Sequence, residues 1–267
     1  MMKVLISADI EGITGIRTWA QATKGDAEYA RYARRMTDEV AAACRGAQKA
    51  GAHDIVVRDA HDSADNLDIE RLPENVTFIS GFNDHPHCML LGLDESFDAV
   101  IMIGYHSASG TDGNPLAHTM SLELTDFLIN NTRVGEFELH AMLASSLGVP
   151  VVFVSGDAAL IDTINTRHKT LKTVATQRAM GNTITYPHPK RVCAAIEAGV
   201  SAALLKIADI PRFDIPDQFI VELAFTTNIK AYRAAQYPGM EHTGPRSVRY
   251  MTDSITEVLR MVQFTLF

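Results

Sequence analysis

Short apolar, β-branched runs alternate along this chain with longer stretches of helical period, and that alternation confines it to an α/β architecture. "KVLISA" (Lys3–Ala8) reads as a buried strand. The segment from Asp26 to Gly51 follows with Ala33, Met36, Val40, Ala43, Cys44 and Ala47 at helical spacing, and Gly51 as its stop. "DIVVR" (Asp54–Arg58), "VTFIS" (Val76–Ser80), "AVIMIG" (Ala99–Gly104) and "PVVFVSGD" (Pro150–Asp157) are further core strands. In "FLINNTRVGE" (Phe127–Glu136) the pair Asn130-Asn131 predicts a hairpin that feeds a helix to about Leu147. Beyond Asp157 the pattern weakens. Pro187–Ile207 is an amphipathic helix, Asp217–Thr226 a strand, Thr252–Phe267 a terminal helix, and Thr173–Pro189 reads as a long loop or linker. The expected fold is a largely parallel or mixed sheet flanked by helices, with a less well defined C-terminal lobe. One unit over 1–267 is expected, divisible into packed lobes at 1–160 and 161–267.

Three of these strands end in groups that bind metals. Lys3–Ala8 runs into Asp9 and Glu11, Asp54–Arg58 into Asp59 and His61, and Ala99–Gly104 into His106. In open parallel sheets the crevice beyond the carboxyl ends of the strands is where ligands bind, so such residues converge although distant in sequence. Residues two apart in extended chain point the same way, which pairs Asp9 with Glu11 and Asp59 with His61. A divalent cation relieves the repulsion between the two carboxylates, and mixed imidazole and carboxylate donors without thiolate suit zinc, manganese, cobalt or iron. Each of these residues taken singly reads more simply as a solvated turn or cap residue. The set favours a metal, because a solvated role gives no reason for three strand ends to carry such groups together.

Composition closes other routes. Thirty-two acidic against 24 basic residues give a net charge of −8, which disfavours nucleic acid as a partner. Cys44, Cys88 and Cys193 are odd in number and widely spaced, so neither a disulfide framework nor a cysteine zinc site is expected. Val4–Ala8 is too short for a signal segment or a membrane span, and a soluble cytoplasmic protein with no membrane partner is the expectation. HExxH, GxSxG and P-loop motifs are absent. A metal-dependent phosphoesterase is the competing enzyme class, although the first motif here is D-x-E. A dipeptide-binding module is the competing non-enzyme.

"SADIEGITG" (Ser7–Gly15), "RDAHDSADNL" (Arg58–Leu67), "IMIGYHS" (Ile101–Ser107), "LAHTMS" (Leu116–Ser121) and "TRVGE" (Thr132–Glu136) resemble, in order and approximate spacing, the motifs of the DppA-type zinc D-aminopeptidases. The resemblance continues through "PVVFVSGD" and more weakly into "GMEHTGPRSVRY" (Gly239–Tyr250), close to full length. Matched by position, it implies that Asp9, Glu11, His61, His106 and Glu136 hold two zinc ions per chain, with Asp9 bridging, and that His118 is the catalytic histidine. It further implies hydrolysis of short peptides bearing an N-terminal D-residue, and a ring-like decamer with its sites facing an internal channel. Ser107–Met120 is lengthened between the two histidines relative to that pattern.

On residue chemistry alone, His118 serves as acid, base or oxyanion stabiliser, since imidazole titrates near neutrality. Glu136 otherwise reads as a carboxylate favoured at a helix N-terminus. Asp59 reads as a residue orienting His61 or an amide, and Asp157 as a weaker case of the same kind. His85 and His87 flank Pro86 in an expected exposed turn, and His53 and His140 read as surface or helix-packing residues.

Overall fold

A computed structural model describes residues 1–267. Its strands are β1 (Met2–Ala8), β2 (Ala52–Asp59), β3 (Val76–Ile79), β4 (Ala99–Tyr105), β5 (Leu124–Ile129), β6 (Thr132–Arg133), β7 (Val151–Asp157), β8 (Lys172–Met180), β9 (Thr183–Thr185), β10 (Phe219–Phe225), β11 (Glu241–Gly244) and β12 (Ser247–Thr252). The helices are α1 (Trp19–Ala22), α2 (Tyr29–Lys49), α3 (Glu136–Ser146), α4 (Ala158–Arg167), α5 (Pro189–Leu204), α6 (Asn228–Ala234) and α7 (Ile255–Leu266).

A seven-stranded sheet runs β3-β2-β1-β4-β7-β8-β9, parallel throughout except for β9, and a five-stranded antiparallel sheet runs β11-β12-β10-β5-β6. Parallel strands need both faces covered, and alternation along β1 supplies both. Val4 and Ile6 join Met36, Val40 and Cys44 of α2 and Ile196 and Val200 of α5 in one cluster. Leu5 enters a second cluster on the other face with Phe137 and Leu143 of α3, Leu160 of α4 and Val258 of α7. The antiparallel sheet packs into that second cluster through Phe127, Val221 and Leu223.

The chain moves outward from β1 to β2 and β3, then returns to place β4 on the other side of β1. The order therefore reverses between β1 and β4, and a crevice opens there at the carboxyl ends. The two strand exits press tightly together. Gly12 N donates to Gly104 O at 2.8 Å, and a Cβ on Gly12 would lie 1.7 Å from the Tyr105 carbonyl oxygen. Gly104 has φ +73°, and a Cβ there would lie 2.2 Å from Asp9 O.

Two expectations need correcting on this architecture. Residues 173–189 are not a loop but hold β8 and the β8–β9 hairpin, which continue the large sheet from β7. Their half-exposed, polar-rich pattern lacks the apolar run of a central strand. Residue 160 does not separate the sheets either. β8 and β9 extend the first, while β5 and β6 belong with β10–β12 in the second.

Candidate metal centre

Asp9, Glu11, His61, His106 and Glu136 are all buried, and His118 is nearly so. Asp9 and Glu11 leave β1, His61 leaves β2 and His106 leaves β4, at the predicted strand ends. Glu136 is the first residue of α3, reached through the β5–β6 hairpin, and His118 lies in the connection from β4 to β5.

The donors fall into two adjoining groups. Asp9, Glu11 and His61 form one, with His61 Nδ1 at 3.0 Å from Glu11 Oε2 and 3.4 Å from Asp9 Oδ1. His106, His118 and Glu136 form the other, with His106 Nε2 at 3.3 Å and His118 Nε2 at 3.6 Å from Glu136 oxygens. Asp9 joins them, since its Oδ2 lies 3.5 Å from His106 Nε2. The His106 and His118 rings stack at 4.3 Å, and Trp19 meets His118 edge-on at 5.4 Å.

Each imidazole is fixed by one nitrogen and presents the other. His61 Nε2 sits 2.9 Å from Ala22 O, His106 Nδ1 3.0 Å from Ser107 O and His118 Nδ1 2.9 Å from Leu116 O. A ring nitrogen against a carbonyl carries the hydrogen, so in the neutral ring the remaining lone pair points at carboxylates. Two like-signed partners need a cation between them. Burial lowers the His61 and His106 pKa values, but Glu11 and Asp9 around His61, and Glu136 and Asp9 around His106, outweigh it and hold both well above the ordinary value. Burial likewise raises Glu136, and His106 and His118 overcome it and pull its pKa down. Asp9 Oδ2, Glu11 Oε2 and His106 Nε2 are buried with no hydrogen-bond partner. Unpartnered buried donors of this kind, aimed at one another, fit divalent cations.

Two further strand-end carboxylates face away from the centre and hold its frame. Asp59 accepts from Asn66 N at 2.5 Å, Leu67 N at 2.9 Å and Asn66 Nδ2 at 2.9 Å, while Asn66 Nδ2 also donates to His61 O at 2.6 Å. Asp157 accepts from Ser107 N and Ser107 Oγ, both at 2.6 Å, and from Asn114 Nδ2, Ala159 N and Leu160 N, each at 3.0 Å. Asn114 Nδ2 also reaches Glu11 O at 3.0 Å, so one buried carboxylate ties the residue after His106 to the backbone of Glu11. Sequence reasoning missed Asn66 and Asn114, whose roles appear only in the folded hydrogen-bond pattern.

The centre opens into a cavity of about 450 Å³ walled by Trp19, Phe82, Met89, Met120, Leu122 and Phe267, with Asp62 and Asp84 also lining it and no lysine or arginine. Asp62, Asp84, Cys88 and Met120 all have positive φ, between 41° and 62°, a concentration of backbone strain typical of functional sites. Buried Arg58 supports one wall, donating to Gly81 O at 2.7 Å with its guanidinium 4.6 Å over the Phe82 ring. Cys88 lines the cavity, but burial pushes its thiol up to about 12, so it offers no thiolate nucleophile.

Other sequence candidates lie outside the centre. His85 and His87 pack against each other at 4.7 Å, outside both donor groups. His53 is exposed, and His140 is buried in α3 with Nδ1 2.7 Å from Glu136 O and a pKa lowered by burial to about 4.

Residues 2–264 match the M55 peptidase family, described as D-aminopeptidase. A D-aminopeptidase of Bacillus subtilis (strain 168) is 28% identical over 258 residues, covering 96% of this chain and 93% of the relative. The solved structure of a protein described as Zn-dependent D-aminopeptidase DppA from Bacillus subtilis, a self-compartmentalizing protease, superposes with a TM-score of 0.93. It is 27% identical to this chain, covering 99% of it and 97% of the solved chain. With a family match spanning nearly every residue that builds the sheet and the centre, the chain belongs to the M55 peptidases, the D-aminopeptidase family of metal-dependent hydrolases.

Proposed function

We propose that this chain is a dinuclear zinc aminopeptidase that releases N-terminal D-residues from short peptides or amides. The carrying observation is the pair of adjoining donor groups, joined by Asp9, in which Asp9 Oδ2, Glu11 Oε2 and His106 Nε2 are buried and unpartnered. Asp9, Glu11 and His61 would hold one ion, and His106 and Glu136, with Asp9 shared, would hold the other. When bound, the ions supply Lewis acidity that acidifies water and polarises a peptide carbonyl. His118 keeps its Nδ1 hydrogen on Leu116 O and handles the leaving-group proton at Nε2. The apolar walls take side chains and exclude water, while Asp62 and Asp84 make the cavity suited to a free ammonium. A phosphoesterase reading has less support, because no lysine or arginine lines the cavity to meet a phosphoryl group.

The D-preference and the zinc follow the descriptions of the relatives. Assembly as a closed homo-oligomer, a ring-like decamer, follows the family resemblance and the relative described as self-compartmentalizing. The same reading makes 1–267 one enzyme unit working in the cytoplasm, where three free cysteines are at ease. No helix is long and apolar enough to cross a membrane.

Metal analysis of the purified protein, coupled to hydrolysis of D-alanine and L-alanine amides with and without chelator, tests this. Two ions per chain with chelator-sensitive, D-selective turnover is the expected result. L-selective turnover would overturn the stereochemical part and keep the centre, whereas absence of both metal and turnover would overturn the whole reading. In His118→Ala, turnover should fall with metal content unchanged, and loss of metal would make His118 a ligand instead.

A further inference from the structure

On the outer flank of α2 a second concavity, of about 800 Å³, is lined by α2, the start of α5 and Arg71. It shares no lining residue with the metal cavity. Arg31, Arg34, Arg35 and Arg45 come from α2, Arg71 from the short turn Ile69–Arg71, and Lys190 from the first turn of α5. Six cations thus converge from three separated stretches of a chain whose net charge is −8. Only Arg31, Arg34 and Arg35 are close together in sequence, and the other three stand apart.

The carboxylates there are already engaged. Asp38 takes Arg71 at 2.6 Å, and Glu197 takes Arg45 at 2.8 Å and also Lys49. Arg35 reaches out of the groove, donating to Thr14 O at 2.6 Å. Arg31, Arg34 and Lys190 have no carboxylate within the 4.0 Å that defines an ion pair. Arg31, Arg34 and Arg35 stand at i, i+3 and i+4, a spacing at which like charges destabilise a helix. Arg31 and Arg34, with Lys190 in the first turn of the 16-residue α5, therefore concentrate positive potential in the groove without an ion-pair partner of their own. Guanidinium forks match phosphate oxygens bidentately. Only three of the 13 lining residues are hydrophobic, so the groove offers charge rather than an apolar slot for a base or ring.

We propose that this groove binds a small, multiply phosphorylated anion through Arg31, Arg34 and Lys190, reading the phosphate chain and not an attached organic group. This goes beyond the peptidase reading and does not depend on it.

Isothermal titration of the metal-loaded full-length protein with inorganic triphosphate, repeated with ATP, tests the proposal. Saturable binding of about one anion per chain, weakening as salt rises, is expected. Triphosphate and ATP should bind within a few-fold of each other, and a large preference for ATP would overturn the phosphate-chain reading. Arg31→Glu combined with Arg34→Glu should weaken binding by tenfold or more while D-alanine amide hydrolysis is retained. Lys190→Glu, on a different helix, should weaken it independently. Because triphosphate also chelates zinc, metal content is measured after each titration. Undiminished binding in both variants, or binding that tracks zinc loss, would place the anion on the metal centre and overturn the proposal. No saturable binding at low salt would overturn it too, as would a fall in oligomeric mass of the double variant, which would make the groove a subunit contact.

Discussion

The two halves of the metal centre are brought together by different means. Asp9, Glu11 and His61 stand directly beyond two neighbouring parallel strands, β1 and β2, whose register runs unbroken from Lys3 opposite Asp54 to Ala8 opposite Asp59. Their positions follow from sheet pairing. His106 also leaves a strand, but His118 lies in a long connection and Glu136 heads a helix that hangs from the second sheet. The second half therefore depends on tertiary anchors, chiefly Asp157 and Asn114, that bind the connection back to the strand ends. If the centre holds two ions as proposed, one shared between a rigid half and an anchored half should lose the ion of the anchored half first when its surroundings are disturbed.

The largest effect is expected from removing what the halves share. Asp9→Ala deletes the only carboxylate near both His61 and His106, so most bound metal and essentially all turnover should vanish together. Metal content and rates near wild type would show that the halves are independent. Asp157→Asn should separate them. The amide cannot accept from Ser107 N, Ser107 Oγ and two helix amides as the carboxylate does, so the second half loosens while β1 and β2 keep the first. Disturbing such supporting groups costs about 10- to 100-fold in metal affinity. Titrating the metal-free variant with cobalt should show one site near wild-type affinity and one weakened by that factor. Equal weakening of both would mean that Asp157 supports the fold generally.

The same contrast sets how much could be read from the sequence. The convergence of the first donor group was legible because side chain and strand are contiguous: "SADIE" and "RDAH" carry both the buried run and the groups at its end. Helices α2, α5 and α7 were legible from their apolar spacing. Glu136 and His118 needed the family resemblance, since a glutamate at a helix start and a histidine in a loop have ordinary explanations. Asp59 and Asp157 look in sequence just like Asp9. What separates them is the convergence of amide donors on the first two, which only the folded chain reveals. The antiparallel sheet was illegible as a unit because β5 pairs with β10, nearly a hundred residues away. Phe267 and Gln263 reach the cavity from the last helix region with no local signal at all.

A smaller effect should distinguish the loop of the first half from the ions it helps to place. Behind that loop, Glu39 of α2 is fully buried, accepts from Thr14 N at 2.9 Å through Oε1, and leaves Oε2 unpartnered. Burial raises its pKa from 4.5 to about 7, against the opposing pull of its bonds to Thr14. Between those values the folded protein holds a proton that the unfolded chain has released, so stability falls as pH rises from about 4.5 to about 7 and stays reduced above. At about 1.4 kcal/mol per pH unit, across a span of about 2.5 units, the deficit is on the order of 3 to 4 kcal/mol. Glu39→Gln keeps an oxygen for Thr14 and cannot ionise. The metal-free variant should therefore melt higher than wild type at pH 8, match it closely at pH 5, and bind both ions as wild type does. An unchanged pH slope would clear Glu39 as its source, and altered affinity at the Asp9, Glu11 and His61 end alone would show that this half, too, hangs on an anchor behind its strand.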